Sequence, residues 1–185
     1  IHDPDAMPFS VPWTDAEPHA RRQAAAQFWW GQRAGWRAEE WHLPLAVFSD
    51  DGPVGIQDLF ATRFSVLGEV GSGSWLKRPA QGQGFGREMR LAVLQLAFEG
   101  LGAEVARSAA FTDNVASLAV SRAIGYRENG RHREAPRGTP NVLINFELTR
   151  DEWMARRDAF PRAEIAGLEG CLYMFGATPP SGTAL

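Results

Sequence analysis

The stretch Gln81-Gly82-Gln83-Gly84-Phe85-Gly86 constrains this chain more than any other. Its glycines alternate with side chains, between a segment that reads as a strand and one that reads as a helix. Glycine lets the backbone take conformations closed to other residues. Consecutive N–H groups can then turn toward one anion, reinforced by the positive end of the following helix. Such a turn is a pyrophosphate cradle; the plain alternative is a glycine-rich connection that holds no ligand. Spacing narrows the choice of ligand. A dinucleotide fingerprint needs glycines at relative positions one, three and six, and counting from Gly82 the sixth position is Arg87. A Walker loop needs Gly-Lys followed by Ser or Thr, which is absent here. Dinucleotide and nucleoside triphosphate readings lose ground.

Strands and helices alternate around this turn. Residues 1–14, with Pro4, Pro8 and Pro12, read as irregular and extended. Asp15 and Pro18 open a helix through Ala24, Phe28 and Trp29 to about Arg37. Leu43–Phe48 and Val54–Phe60 read as a hairpin about the turn Asp50-Asp51-Gly52-Pro53. Phe64–Leu76 reads as one long strand, whose Gly68, Gly71 and Gly73 mark bulges or a close approach of backbone to ligand. After the loop Lys77–Gly86, the apolar residues Met89, Val93, Leu94, Leu96 and Ala97 predict a helix to about Gly100. Val105–Phe111 is another strand, and Asn114–Ile124 a second helix with Asn114 or Thr112 as N-cap and Gly125 past its end. Tyr126–Glu134 reads as a strand and Pro136–Pro140 as a turn. In Asn141–Leu148, Val142, Ile144, Phe146 and Leu148 alternate with Leu143, Asn145 and Glu147, as a sheet packed mainly on one face requires. Thr149 and Glu152 spell a capping box for a helix through Trp153. The apolar run Cys171–Phe175 is placed to pack on the body or on a second subunit. The expected fold class is α/β (α+β), a mixed, mostly antiparallel central sheet flanked by helices.

Composition removes several function classes. A chain of 185 residues can bury a core in one domain. The net charge of -3 leaves no footprint for nucleic acid or an anionic membrane. Cys171 is the only cysteine, so no internal disulfide or multi-thiolate zinc site forms, and it reads as a small buried apolar residue rather than a nucleophile. No apolar run approaches the ~20 residues that span a bilayer, and no secretory signal is present. A soluble cytoplasmic protein without a metal is expected.

Gln81-x-x-Gly84-x-Gly86 resembles the coenzyme A pyrophosphate motif of the GNAT acyltransferase superfamily. Asn114-x-x-Ser117, leading into Ile124-Gly125-Tyr126, resembles a second segment found in the branch of the ribosomal-protein acetyltransferases RimJ and RimL. The resemblance covers about residues 43–150. It implies an acyl-CoA-dependent N-acyltransferase that moves an acetyl or similar acyl group onto a primary amine. Ser74, Trp75 and Leu76 would pair through their backbone with the pantetheine and polarise the thioester carbonyl. Gln81, Gly82, Gln83, Gly84, Phe85 and Gly86 would hold the pyrophosphate. Asn114 would bond the pantetheine and Ser117 would protonate the departing thiolate. The general base stays open: the RimJ/RimL branch points to Glu134, other members to Glu69, and His132 is a further candidate. Alternatively, the chain is a non-catalytic acyl-CoA-binding sensor or scaffold.

The same resemblance divides the single domain 1–185 into an acceptor-side helical region (1–42), a CoA-binding core (43–150) and a C-terminal extension (151–185). Of the aromatics Trp13, Phe28, Trp29, Trp30, Trp36 and Trp41, most are expected in the core and one or two along the acceptor site. Trp29 and Trp30 cannot both face inward on a helix. The chain opens on Ile1 and reads as processed, trimmed or partial, lacking the family's first strand and helix. The Leu43–Phe48 strand is then expected to have an open edge, which tilts the expectation toward a homodimer. The acceptor (a protein N-terminus, an aminoglycoside-like drug, a polyamine or an amino-acid metabolite) stays open.

Overall fold

Six strands join in one sheet; most alternate buried and exposed positions, whereas one edge strand is polar throughout and held by its ladder. In a computed structural model, which describes residues 1–178, helix α1 (Pro18–Ala34) leads into strands β1 (Glu40–Ser49) and β2 (Gly52–Thr62). A one-turn helix α2 (Phe64–Leu67) precedes β3 (Glu69–Leu76), and α3 (Phe85–Gln95) follows the glycine turn. Then come β4 (Val105–Phe111), α4 (Val115–Ile124), β5 (Arg127–Glu134), β6 (Asn141–Thr149) and α5 (Arg150–Met154). The strand order is β1-β2-β3-β4-β6-β5. Every neighbouring pair is antiparallel except β3–β4, which is parallel. The sheet is mixed and mostly antiparallel, as expected.

One face of the sheet carries the core. Leu59, Val70, Ala106, Ile144, Phe146 and Leu148 pack there against Leu91, Leu94, Ala97 and Phe98 of the α3 segment and Leu118 and Ile124 of α4. Each fully buried Leu, Ile or Phe contributes about 1.5–3 kcal/mol relative to exposure, so this seam fixes where α3 and the turn before it sit. Trp41 is in the core and Trp36 stacks on it at 6.0 Å. Trp30 is exposed and Trp29 half-buried, so the two diverge on α1 as helix geometry demands. Leu172 and Phe175 are buried against the body, and the Trp41 indole N–H donates to the Phe175 carbonyl at 3.0 Å.

The long strand predicted over Phe64–Leu76 is corrected at its start. Arg63 (φ 52°) and Gly68 (φ 60°) are both left-handed and bracket the α2 turn, closed by the Gly68 N–H on the Phe64 carbonyl at 2.8 Å. Extended pairing begins only at Glu69. α1 stops at Ala34 rather than Arg37: the Gly35 N–H makes the last i→i−4 bond, to Gly31, the Trp36 N–H turns back to the Arg33 carbonyl, and Arg37 bridges Glu40. The hairpin is longer than predicted, paired from Glu40↔Thr62 to Ser49↔Gly52 with an irregularity at Val47/Phe48. Asn114, not Thr112, is the N-cap of α4. The Thr149–Glu152 capping box forms as read. β1 lies at one edge of the sheet. Residues 179–185 of the expected C-terminal extension lie outside the described residues.

Candidate active site

β3 and β4 pair over three positions only: Glu69↔Val105, Val70↔Ala106 and Gly71↔Arg107. Beyond them β3 keeps β2 as far as Leu76↔Gly55, and β4 keeps β6 as far as Phe111↔Leu143. The two strands therefore part after Gly71, and each turns unpaired backbone groups toward the other. Buried groups of that kind need partners, and an extended ligand can supply them as an added strand does. The glycine turn stands at the end of β3 and the N-terminus of α4 at the end of β4, both at the open end of this fork.

At the turn, Gly82 (φ 73°) and Gly84 (φ 93°) hold the left-handed conformations that glycine permits. Among the described residues no backbone acceptor takes the N–H of Gly82, Gln83, Gly84, Phe85 or Gly86, and no side chain caps α3. The flanking amides do not compete for this space. Gln81 donates its side-chain N–H to the carbonyls of Leu76 (3.0 Å) and Ile1 (2.6 Å), and Gln83 donates to that of Pro79 (2.5 Å). The turn thus presents bare backbone donors at a helix N-terminus, an arrangement suited to a diphosphate. Phe85 anchors it by packing against Val54, Leu76, Ala80 and Met89.

Below the fork lies a charge that the pattern analysis missed. Arg90 of α3 is 4% exposed. Its guanidinium donates to the Ser108 hydroxyl on β4 at 3.0 Å and reaches the Ser74 hydroxyl on β3 at 3.5 Å, bridging the parted strands. Its Nε has no partner, and no carboxylate of the described residues pairs with it. The buried Tyr126 hydroxyl lies beside it, its pKa raised by burial against the counteracting Arg90 charge and the neighbouring Ser72. A buried cation without a counter-ion costs several kcal/mol. The one available signal was helical: Arg90 falls on the stripe of Leu94, Ala97 and Leu101, a cation at a core position.

On α4, the Asn114 side-chain oxygen accepts the Ser117 N–H at 3.2 Å. Asn114 is thereby a helix cap, and Ser117 sits half-buried in the first turn beside the fork.

The sheet's other face carries the candidate bases. Glu69 is held by Arg107 through both oxygens (2.8 and 2.9 Å), and Arg107 also reaches Glu147 at 2.8 Å. Hydrogen bonds from Arg107 keep the Glu69 carboxyl below its ordinary range. Glu134 is likewise lowered, by hydrogen bonds from Ser10 and then His132, whose Nε2 is 2.9 Å away. His132 also contacts Asn145 at 3.2 Å through Nδ1. Glu69 lies at the closed end of the fork. Glu134 lies near its open end on β5, with β6 between it and β4. Over this face the N-terminal segment crosses the mouth: Asp3 pairs with Arg78 at 2.8 Å, Trp13 packs on Trp75 at 6.0 Å, and Arg137 holds Asp15 at 2.5 Å and the Pro4 carbonyl at 2.7 Å. Among the described residues, no group of three or more His, Cys, Asp or Glu side chains could hold a metal, and no helix is long and apolar enough to cross a membrane.

This arrangement has relatives. The family profile described as an acetyltransferase (GNAT) domain matches residues 1–127. A protein of T. thermophilus with a provisional acetyltransferase assignment superposes with a TM-score of 0.65 at 21% identity, over 85% of this chain and 83% of that one. A variant of the spermidine N-acetyltransferase SpeG from Vibrio cholerae gives 0.62 at 12% identity, over 74% and 79%. The ribosomal-protein-S5-alanine acetyltransferase from Vibrio fischeri gives 0.58 at 18% identity, over 74% of each chain. These likenesses show a shared fold, and the domain match covers more than half of the chain. With its forked sheet and glycine turn, the chain belongs to the GNAT family of acetyltransferases, which use acetyl-CoA.

Proposed function

We propose that the chain transfers an acetyl or similar acyl group from acyl-CoA to a primary amine by direct attack on the thioester. The fork carries this reading: strands that part after Gly71, with the unbonded N–H groups of residues 82–86 at its lip. Gly82 to Gly86 would hold the diphosphate, and the backbone of Ser74, Trp75 and Leu76 would pair with the pantetheine arm. An N–H of that strand aimed at the thioester oxygen would stabilise the oxyanion, a contribution typically of about 3–4 kcal/mol. Asn114 would bond the pantetheine through its amide, and the Ser117 hydroxyl would return a proton to the thiolate.

The acceptor must arrive as a neutral amine, although an alkylamine with a pKa of about 10 is mostly protonated near pH 7. Glu69 and Glu134 both stay ionised at neutral pH, because their partners hold the carboxyls low. Glu69 would have to leave a two-point arginine clamp to take a proton. Among the described residues no arginine pairs with Glu134, which takes up the proton through water in this reading. The net charge of -3 modestly favours a cationic acceptor.

The test is a thiol-release assay with acetyl-CoA and a panel of primary amines, run on the wild type and on Ser117→Ala. Turnover that falls at least tenfold in Ser117→Ala while acetyl-CoA binding persists supports the reading. Acetyl-CoA binding with no turnover on any amine would make the chain an acyl-CoA-binding module instead.

A further inference from the structure

Resting on that acyl-transfer reading, we propose that Asp58 of β2, with His42 of β1, is the receptor for the acceptor's ammonium group, and that the acceptor is a cationic amine. The register sets the geometry. Asp58 pairs across the ladder with Gly73, and Phe60 with Gly71. Gly71 is the last β3 residue bonded to β4, so Gly73 lies just inside the open fork. A side chain at Gly71 would strike the Phe60 ring at 2.2 Å, whereas one at Gly73 would meet nothing within 4 Å. There is open space over the fork, and the titratable side chain directly across from it is Asp58.

The other carboxylates on this face stand farther off or are occupied. Facing residues on neighbouring strands have Cβ atoms about 4.5–5.5 Å apart, which is the offset from Asp58 to the space above Gly73. Glu69 lies four residues back along β3, about 13 Å at 3.3 Å per residue, and Arg107 holds it. Glu134 lies on β5, roughly 10 Å from β4 at two strand spacings. Asp58 has no arginine or lysine partner among the described residues; the side chain set against it is the His42 imidazole, with Nε2 at 3.5 Å from Oδ2. That gap exceeds hydrogen-bond distance. Among the described residues, the His42 Nε2 and the other Asp58 oxygen, Oδ1, are both buried and have no hydrogen-bond partner. Such orphaned polar atoms are costly, and an ammonium between β2 and the fork would give the carboxylate the donors it lacks.

The surroundings suit a cation with an apolar body. Phe28, Trp29 and Phe60 pack around the His42 ring at centroid distances of 5.8, 6.5 and 5.4 Å. Beside them, between α1 and the β1–β2 hairpin, is a cavity of about 540 Å³ whose polar lining includes Gln32, Glu40 and His42 and no lysine or arginine. Aromatic faces and carboxylates together attract ammonium groups. Arg107, on the same face, is already balanced by Glu69 and Glu147.

The test is calorimetric titration of the protein–CoA complex with n-butylamine, 2-phenylethylamine, spermidine and alaninamide, repeated with Asp58→Asn and Asp58→Glu. At least one amine is expected to bind the wild type. Asp58→Asn is expected to weaken that amine tenfold or more, Asp58→Glu to retain part of the affinity, and acetyl-CoA affinity to stay within twofold in both. Failure of every amine to bind, or equal binding by Asp58→Asn, overturns the proposal while leaving acyl transfer standing. Absence of CoA binding by the wild type overturns the acyl-transfer reading itself, and this proposal with it.

Discussion

Two glycines on neighbouring strands should respond to the same alanine substitution in opposite ways. At Gly55 a Cβ would lie 2.2 Å from the Trp75 carbonyl oxygen, 2.8 Å from Leu76 Cδ2 and 3.1 Å from Leu76 Cα. Two of these three contacts are with backbone, so no rotamer change relieves them. The end of β3 must retreat by about 1 Å, which takes a ladder hydrogen bond out of its normal range. Overpacking costs about 1–3 kcal/mol and a lost ladder bond about 1 more. Gly55→Ala should therefore cost about 2–4 kcal/mol, lowering Tm by roughly 4–16 °C at this chain length. At Gly73 the Cβ meets nothing, and φ is not positive. There the substitution restricts only the unfolded chain and should be neutral or stabilising by up to about 1 kcal/mol. Its methyl group, however, occupies the space over the fork where acyl group and amine must meet, and misplacing a reactant by about 1 Å costs about 100-fold. The expected outcome is a normal Tm with kcat/KM down by about 10- to 100-fold. Thermal unfolding and thiol release on both variants check this. A Gly73→Ala enzyme with wild-type kcat/KM, or a Gly55→Ala protein with wild-type Tm, would refute the geometry.

Gly84→Ala should lose about 1–2 kcal/mol from the left-handed φ of 93° alone and weaken acetyl-CoA, both readable by ligand titration in thermal unfolding. Arg90→Met removes a buried charge that has no counter-ion. Stability should hold or rise while acetyl-CoA binding weakens, and a loss beyond about 2 kcal/mol in urea unfolding would show the guanidinium to be a structural necessity. For Glu69 the folded-state pKa is depressed below the ordinary 4.5. Its pairing with Arg107 therefore stabilises fully above that value and is lost as pH falls through the lower folded value. The stability deficit of Glu69→Gln should be present at neutral pH and shrink below 4.5, and a pH-independent deficit would exclude this pair as its source.

The elements legible in the sequence were those whose cause is local. β6 announces itself by strict alternation, α5 by its capping box, and the turn before α3 by its glycine spacing. The α2 turn was read as strand because Phe64-Ser65-Val66-Leu67 is apolar and β-branched in part, and nothing in the string marks Arg63 as left-handed. The fork itself was not legible, since strand divergence depends on which strands find other partners. Arg90 could have been suspected as a charge on an apolar stripe, but its role in joining Ser74 to Ser108 needed the fold. His42 and Asp58 carry no motif in strands that read as apolar, and only the β1–β2–β3 register brings them together near Gly73. The aromatics Trp13, Phe28, Trp29, Trp30, Trp36 and Trp41, expected mostly in the core, are not: Trp41 alone is buried, Trp13, Trp29 and Trp36 are half-buried and Phe28 and Trp30 are exposed, because α1 lies on the surface with no buried residue.

Binding of acyl-CoA in the fork is tested most directly by thermal unfolding with acetyl-CoA, with ATP and NAD as comparisons. At 100 times its dissociation constant a ligand adds about 2.7 kcal/mol, which for this chain is a rise in Tm of roughly 5–11 °C. The account predicts that rise with acetyl-CoA alone and its loss in Gly84→Ala. No shift at millimolar acetyl-CoA, or an equal shift with ATP, would contradict it.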